Sequence, residues 1–223
     1  MLNIGFGITA SGYKVPSGGG GSYNLTYQGT GTNSADLATY TYASQAIGTA
    51  GATRRVIVGV GWRGISGTTT AISSVTIGGI TATQDASGTQ AGNAAAIFSA
   101  VVPTGTTATV VVDFGGNAQG RCAIGVWTID TGSLAAGSSD ITNPISMTVA
   151  TTVGDPVIAV ACENGTSATF TWSANVTERF DFIIEGTAPS FSGADMLAVG
   201  TSTVVTVTQS SGTTPRGAIA AYH

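Results

Sequence analysis

The chain has 223 residues, a net charge of −4 and only 8% charged residues, so Thr, Ser, Asn, Gln and Gly must supply most of its solvent-facing surface. This balance argues against a nucleic-acid partner, because phosphate contacts need clustered Lys and Arg, and the single lysine is Lys14. No apolar run approaches the roughly 20 residues of a membrane-spanning helix, so we expect no membrane insertion. The N-terminus lacks the positive region of a secretory signal, which predicts assembly in a cytosol.

Residues 1–22 differ in composition from the rest of the chain. They carry a few apolar side chains among Gly and Ser, and they end in the flexible run GGGGS. Such a segment buries too little surface to fold alone, so we predict an extended arm that is held by a partner subunit or by its own domain. The expected anchoring residues are Leu2, Ile4, Phe6, Ile8, Tyr13 and Val15.

Residues 23–223 are predicted to form one β-sandwich domain. Arg54 to Trp62 is rich in Val and Ile, as expected of a strand buried on both faces, and the segment ATYTYA at 38–43 alternates like a half-buried strand. Strands are also predicted at 94–102 and 107–114, separated by the turn sequence PTGTT. Apolar residues show no sustained helical spacing, so the prediction is an all-β fold.

The same series of predicted strands occurs twice in the sequence. The elements RVIVGVGW, VTIGG, AAIFSAVV, TVVVDF and RCAIGVW are followed about a hundred residues later by PVIAVAC, FTWSA, DMLAVG, VVTVT and RGAIAAY. Arg121 and Arg216 open the last strand of each series. We therefore predict two similar halves, at about 34–130 and 140–223, produced by duplication.

Two architectures fit this pattern. The first is a single jelly-roll-like β-sandwich of about a dozen strands in which the two halves interleave, which the short joint at 131–140 favours. The second is a pair of tandem immunoglobulin-like sandwiches of about 90–100 residues each.

Catalytic and metal-binding signals are weak. The only histidine is His223, the acids are few, and Asp140 and Asp155 fall where Asx-type side chains bond local backbone. Cys122 and Cys162 lie inside apolar strands, which favours buried free thiols, with a disulfide as the alternative. We expect no enzyme activity, no metal and no cofactor.

The three tryptophans Trp62, Trp127 and Trp172 have two interpretations. Core packing, with the indole N–H satisfied at a sheet edge, is the simpler one. The alternative is that one or more face outward and stack on sugar rings.

The string RRVIVGVGW…ISSVTIGGITATQ…AAIFSAVVPTGTTATVVVDF…RCAIGVWTI resembles a module of tailed-phage structural proteins, and the likeness covers roughly Tyr23 to His223. The resemblance implies a virion β-sandwich, such as a decoration protein, a head fibre or a tail-fibre module. It further implies capsid or tail subunits as partners, assembly in the host cytoplasm and a homo-oligomer. A carbohydrate-binding module that adheres to host-surface glycans is the alternative function.

Overall fold

The computed structural model describes residues 23–164, 167–186, 188–212 and 214–223. Within these residues the fold is all-β, as predicted, with 17 strands in four antiparallel sheets. The first nine strands are β1 Thr26–Asn33, β2 Thr39–Ala46, β3 Arg55–Arg63, β4 Ser74–Ile77, β5 Ile80–Thr81, β6 Thr83–Gln90, β7 Asn93–Val101, β8 Thr107–Asp113 and β9 Arg121–Ile129. The other eight are β10 Leu134–Asp140, β11 Ile145–Ala150, β12 Pro156–Glu163, β13 Phe170–Trp172, β14 Thr177–Ile183, β15 Ser190–Leu197, β16 Ser202–Gln209 and β17 Arg216–Tyr222.

Each sheet takes its strands from one half of the chain. The first half forms a five-stranded sheet, β1-β9-β3-β7-β6, and a four-stranded sheet, β2-β8-β4-β5. The second half forms a five-stranded sheet, β10-β17-β12-β15-β14, and a three-stranded sheet, β11-β16-β13. The halves are therefore two sandwiches in tandem. They do not interleave within a sheet, and they begin at Thr26 and Leu134, earlier than the predicted 34 and 140.

The two halves share one strand order. If the two-residue strand β5 is left out, each half has eight strands, and its larger sheet runs first, eighth, third, sixth, fifth. The order first, eighth, third, sixth is that of one sheet of a jelly roll. The strand at the edge, β6 in the first half and β14 in the second, is an addition to that order. Strands β1 and β10 even carry a bulge at the same place, opposite Trp127 and Tyr222, which each lie six residues after the matched arginines Arg121 and Arg216.

The apolar runs of the sequence become the central strands of the larger sheets. In β3, Val56, Val58 and Val60 face the smaller sheet of their own sandwich, whereas Ile57 faces the other half of the chain. Strands of the smaller sheets, such as β16, alternate between buried and exposed residues because only one face is covered. This difference explains why the central strands lack a polar alternation.

Four sheets enclose three hydrophobic layers. The outer layers lie inside each sandwich, and the middle layer lies between the two five-stranded sheets, which pack face to face. Aromatic rings fill the middle layer, with ring-centre distances of 5.9 Å from Trp127 to Phe180 and 5.1 Å from Phe180 to Phe191. The two sandwiches thus share a core that neither half completes alone.

Close approach of the two larger sheets depends on glycine. A Cβ placed on Gly61 of β3 would lie 2.3 Å from the ring of Phe191 in β15, and one on Gly125 of β9 would lie 2.5 Å from Phe180 in β14. Real carbon atoms do not approach so closely, so these positions have room only for hydrogen.

We expect the substitution Gly61→Ala to lower the free energy of unfolding by about 1–3 kcal/mol, because the fully buried Phe191 ring must move as a whole. The matched control is Gly200→Ala in a surface loop, where the nearest atom lies 3.9 Å from the added carbon and the change should stay within about 0.5 kcal/mol. Urea denaturation of both variants measures the difference. Equal stabilities would contradict tight packing between the two larger sheets.

Candidate functional site

The loops at one end of the molecule converge around the point where the chain enters the first sandwich. We call this end the N-terminal pole. Backbone hydrogen bonds hold its loops in pairs, for example Gly51 N to Pro103 O at 3.1 Å in the first half and Gly154 N to Ala198 O at 2.8 Å in the second. Ser133 N donates to His223 O at 2.7 Å, which ties the joint between the halves to the residue after β17. The pole consists of residues 23–25, 47–54, 101–106, 130–133, 151–155, 197–201 and 223.

Arg54 organises the first half of the N-terminal pole. Its side chain is only 3% exposed, and it lies just before β3. The guanidinium donates five hydrogen bonds of 2.6–2.9 Å, two of them to the carbonyl of Val102 and the others to those of Gly48, Thr104 and Gly105. One planar cation therefore fixes two loops, and a lysine has no comparable fork of donors.

Asp155 has the corresponding task in the second half. It lies just before β12, as Arg54 lies before β3, and it is 1% exposed. Its Oδ2 accepts a hydrogen bond from Thr152 N at 2.7 Å, and its carbonyl accepts one from Ala198 N at 2.8 Å. The imidazole Nδ1 of His223 lies 4.0 Å from the same carboxylate. The two halves thus use opposite charges to order equivalent loops.

Two aromatic residues at equivalent positions donate to carboxylates between the sandwiches, of which Asp195 is buried and Asp85 is half-buried. Trp127 Nε1 donates to Asp195 Oδ2 at 2.8 Å, and Tyr222 OH donates to Asp85 Oδ2 at 2.7 Å. Arg179 neutralises Asp195 through two hydrogen bonds, of 2.7 and 2.9 Å. The indole N–H of Trp127 and the phenol O–H of Tyr222 each have an acceptor, as burial requires.

The carboxyl group of Asp85, which accepts from Tyr222 OH, has a shifted pKa. Burial raises the pKa of Asp85, and hydrogen bonds from Ser99 and Tyr222 together with the charge of Arg55 only partly offset that effect. Asp140 shows the opposite balance. Burial alone would raise its pKa, but hydrogen bonds from Ser146 and Thr142 lower it overall.

Three shallow clefts indent the N-terminal pole. The first lies between the halves and is lined by Ala52, Thr53, Val101, Thr131, Gly132, Ser133 and His223. The second adjoins the start of the described chain and is lined by Tyr23, Asn24, Leu25, Thr177, Arg179, Asp195, Met196 and Leu197. The third is lined by Ala135, Ala150, Thr151, Thr152, Asp155 and His223. All three therefore open at the same end of the molecule.

Exposed apolar side chains surround these clefts. Val199 is 83% exposed, Val153 57%, Leu197 47% and Val101 40%. Val153 and Val199 occupy loops with the sequences TTVG and VGTS, which carry no charge. Several exposed apolar side chains at one end of a molecule are typical of an interaction site.

The structure separates the three tryptophans that were considered as sugar contacts. Trp62 is 1% exposed and donates to Thr70 O at 3.0 Å, and Trp127 is fully buried between the sandwiches. Neither ring is open to a ligand, so the glycan interpretation is wrong for both residues, because each indole completes a core. Trp172 is half-buried on β13, and its Nε1 donates to Ser192 Oγ at 2.8 Å.

The cysteines and the two aspartates that the sequence analysis considered have structural roles. Cys122 and Cys162 are buried free thiols, which confirms the favoured interpretation, and burial raises the pKa of each to about 12. Asp140 and Asp155 bond local backbone N–H groups, as expected. The predicted anchoring residues lie outside the described part of the chain, namely Leu2, Ile4, Phe6, Ile8, Tyr13 and Val15.

Within the described residues, no three His, Cys, Asp or Glu side chains are grouped as a metal site would require. That part of the chain also contains no helix with the length and apolar character needed to cross a bilayer.

Sequence reasoning missed Arg54 and the exposed valines of the N-terminal pole. Arg54 falls inside the predicted strand 54–62, but β3 begins one residue later. A charged residue next to a fully apolar run can indicate a buried cation that is hydrogen-bonded. Val153 and Val199 had a signal too, since each is an isolated apolar residue within a Thr/Gly loop.

No protein-family model matches this chain, and no curated protein sequence matches it significantly.

We expect Arg54→Met to lower the free energy of unfolding by about 3 kcal/mol, because four loop carbonyls lose their donor. Arg121→Met is the matched control. It removes the ion pair of Arg121 with Glu185, which lies at the surface with the glutamate side chain 49% exposed, and should cost less than about 1 kcal/mol. Chemical denaturation gives both values, and a smaller loss for Arg54→Met than for Arg121→Met would refute the organising role of Arg54.

The pKa shifts predict opposite stability effects for two Asp→Asn variants. The raised pKa of Asp85 means that its ionised form lowers the stability of the folded protein at neutral pH. This loss of stability disappears as the pH falls from the pKa of Asp85 in the folded chain to its pKa in the unfolded chain. Asp85→Asn should therefore be more stable than the wild type at neutral pH and should gain less on acidification, while Asn still accepts from Tyr222.

Asp140 provides the contrasting variant. Its lowered pKa contributes stability above the unfolded pKa that is lost as the pH falls through the folded value, so Asp140→Asn should be less stable than the wild type at neutral pH. Thermal unfolding of both variants across a pH series measures the two trends. The same sign for both variants at neutral pH would contradict these assignments.

Proposed function

We propose that this protein is a structural component of a virus particle, either a decoration protein or a short head or tail appendage. Residues 1–22 attach it to capsid or tail subunits. The observation that carries the proposal is the architecture itself. Two equivalent sandwiches are joined through a common core into one body, and the chain enters that body at a single pole.

The interior of the body supports a scaffold role. Its largest side chains, including Trp62, Trp127, Tyr40 and Tyr222, are at most 1% exposed. The buried ionisable groups Arg54, Asp155 and Asp195 each hold loops or neighbouring side chains in place. These groups have assigned tasks in folding, which is the pattern expected of a protein that works through shape and attachment.

The segment resemblance to tailed-phage modules supports the same proposal. The residues that carry it form β3, β4, β5, β7, β8, β9 and the start of β6, which make up the first sandwich apart from β1, β2 and most of β6. Assembly in the host cytoplasm, a virion location and a homo-oligomeric state belong to this proposal. We do not extend it to glycan binding, because only Trp172 of the three tryptophans is even partly exposed.

Deletion of residues 1–22 tests the attachment. We expect the remaining chain to fold with an unfolding midpoint close to that of the full chain, because the three hydrophobic layers are formed by residues after Ser22. We also expect it to be absent from particles, since a small set of apolar side chains anchors effectively when many copies are present.

The measurement uses particles assembled in host cells that lack the gene for this chain, to which full-length or truncated protein is added before sedimentation. Truncated protein that sediments with particles as the full chain does would exclude residues 1–22 as the anchor. Truncated protein that fails to fold would place them in the core instead.

A further inference from the structure

We infer that the exposed apolar rim of the N-terminal pole, formed by Val101, Val153, Leu197 and Val199, is a second contact surface. It seats the body on the same particle subunit that receives residues 1–22. This inference rests on the proposed function and adds to it a contact made by the folded body, apart from the N-terminal segment.

The rim has residues from both halves of the chain. Gly154 N bonds Ala198 O, which places the loops of Val153 and Val199 side by side. His223 lies between the halves, because it borders the cleft beside Val101 and also the cleft beside Thr152. The rim residues therefore lie at one end of the molecule, around the imidazole of His223.

The rim is exposed in a way that packing within the chain does not explain. Val199 and Val153 are 83% and 57% exposed, whereas the valines of the central strand β3 are fully buried. The loop segments TTVG and VGTS that hold Val153 and Val199 carry no charge, and the Asp155 carboxylate that follows the first segment is 1% exposed and accepts from Thr152 N within its own loop. The part of a partner surface that meets these two valines is accordingly apolar and uncharged.

The opposite end of the body has a different character. Arg121 and Glu185 form an ion pair there at 2.5 Å, and Arg63 and Asp36 contribute further charges close by. An apolar, uncharged partner surface would have to desolvate those charges, at a cost that the loops of Val153 and Val199 do not impose. This contrast favours the rim as the seat.

The occupant follows from where the described chain begins. Tyr23, Asn24 and Leu25 line the same cleft as Leu197 of the rim. Each residue spans at most about 3.6 Å, so a subunit that holds the residues just before Tyr23 lies within a few residues of the rim. The anchoring segment and the rim then act as two linked contacts, and the short tether gives the second a high effective concentration.

The test compares the full chain with the double variant Val153→Thr and Val199→Thr, which keeps side-chain shape but removes apolar surface. The control is Ile141→Thr, an equally apolar change at a residue that is 43% exposed and follows the far end of β10. The probe is again the particle assembled without this chain. Unfolding midpoints close to that of the wild type establish that all variants are folded.

We expect the double variant to bind these particles at least tenfold more weakly than the wild type, and Ile141→Thr to bind within about twofold of it. Equal binding of the wild type and the double variant overturns the inference but leaves the proposed function intact. Failure of the wild type itself to bind overturns both. A wild-type oligomer that dissociates in the double variant, measured by light scattering, identifies a second copy as the occupant and also overturns the inference.

Discussion

The close packing of the two five-stranded sheets is the constraint on which the rest of the structure depends. Each sheet is covered on one side by the smaller sheet of its own sandwich and on the other by its counterpart from the other half. Gly61 and Gly125 allow Phe191 and Phe180 to reach across this middle layer. Because the layer contains Trp127 and Tyr222, separation of the halves would expose two of the largest fully buried side chains of the protein. The two halves are therefore stable as a unit.

The two halves share one scaffold and differ in the chemistry of their loops. Trp127 and Tyr222 occupy equivalent places, and each has a carboxylate partner, since a buried indole N–H or phenol O–H needs an acceptor. Two different charged groups hold the loops of the N-terminal pole. The cation of Arg54 does so in the first half, and the carboxylate of Asp155 does so in the second. Backbone carbonyls and backbone N–H groups are both available at strand ends, so either charge can fix a loop.

The two ends of the molecule differ in chemical character, and this difference indicates which end would face the particle in the proposed function. The N-terminal pole has exposed valines and shallow clefts, whereas the far end carries the Arg121–Glu185 ion pair. A body attached at its apolar end would present its charged loops outward.

The sequence by itself determined the all-β class, the two similar halves and most central strands, because a strand covered on both faces must be apolar throughout, as 56–62 and 156–162 are. The edge strands β1, β6 and β10 were not predicted, because half-exposed strands of Thr, Gly, Ser and Ala carry little periodicity. The start of β10 at Leu134 even has a weak helical spacing of apolar residues. Only the tertiary structure decided that the halves stand in tandem and that Trp62 and Trp127 are buried. Those outcomes depend on which distant strands pair and which sheet faces meet, and such contacts between remote residues leave no local signal in the chain.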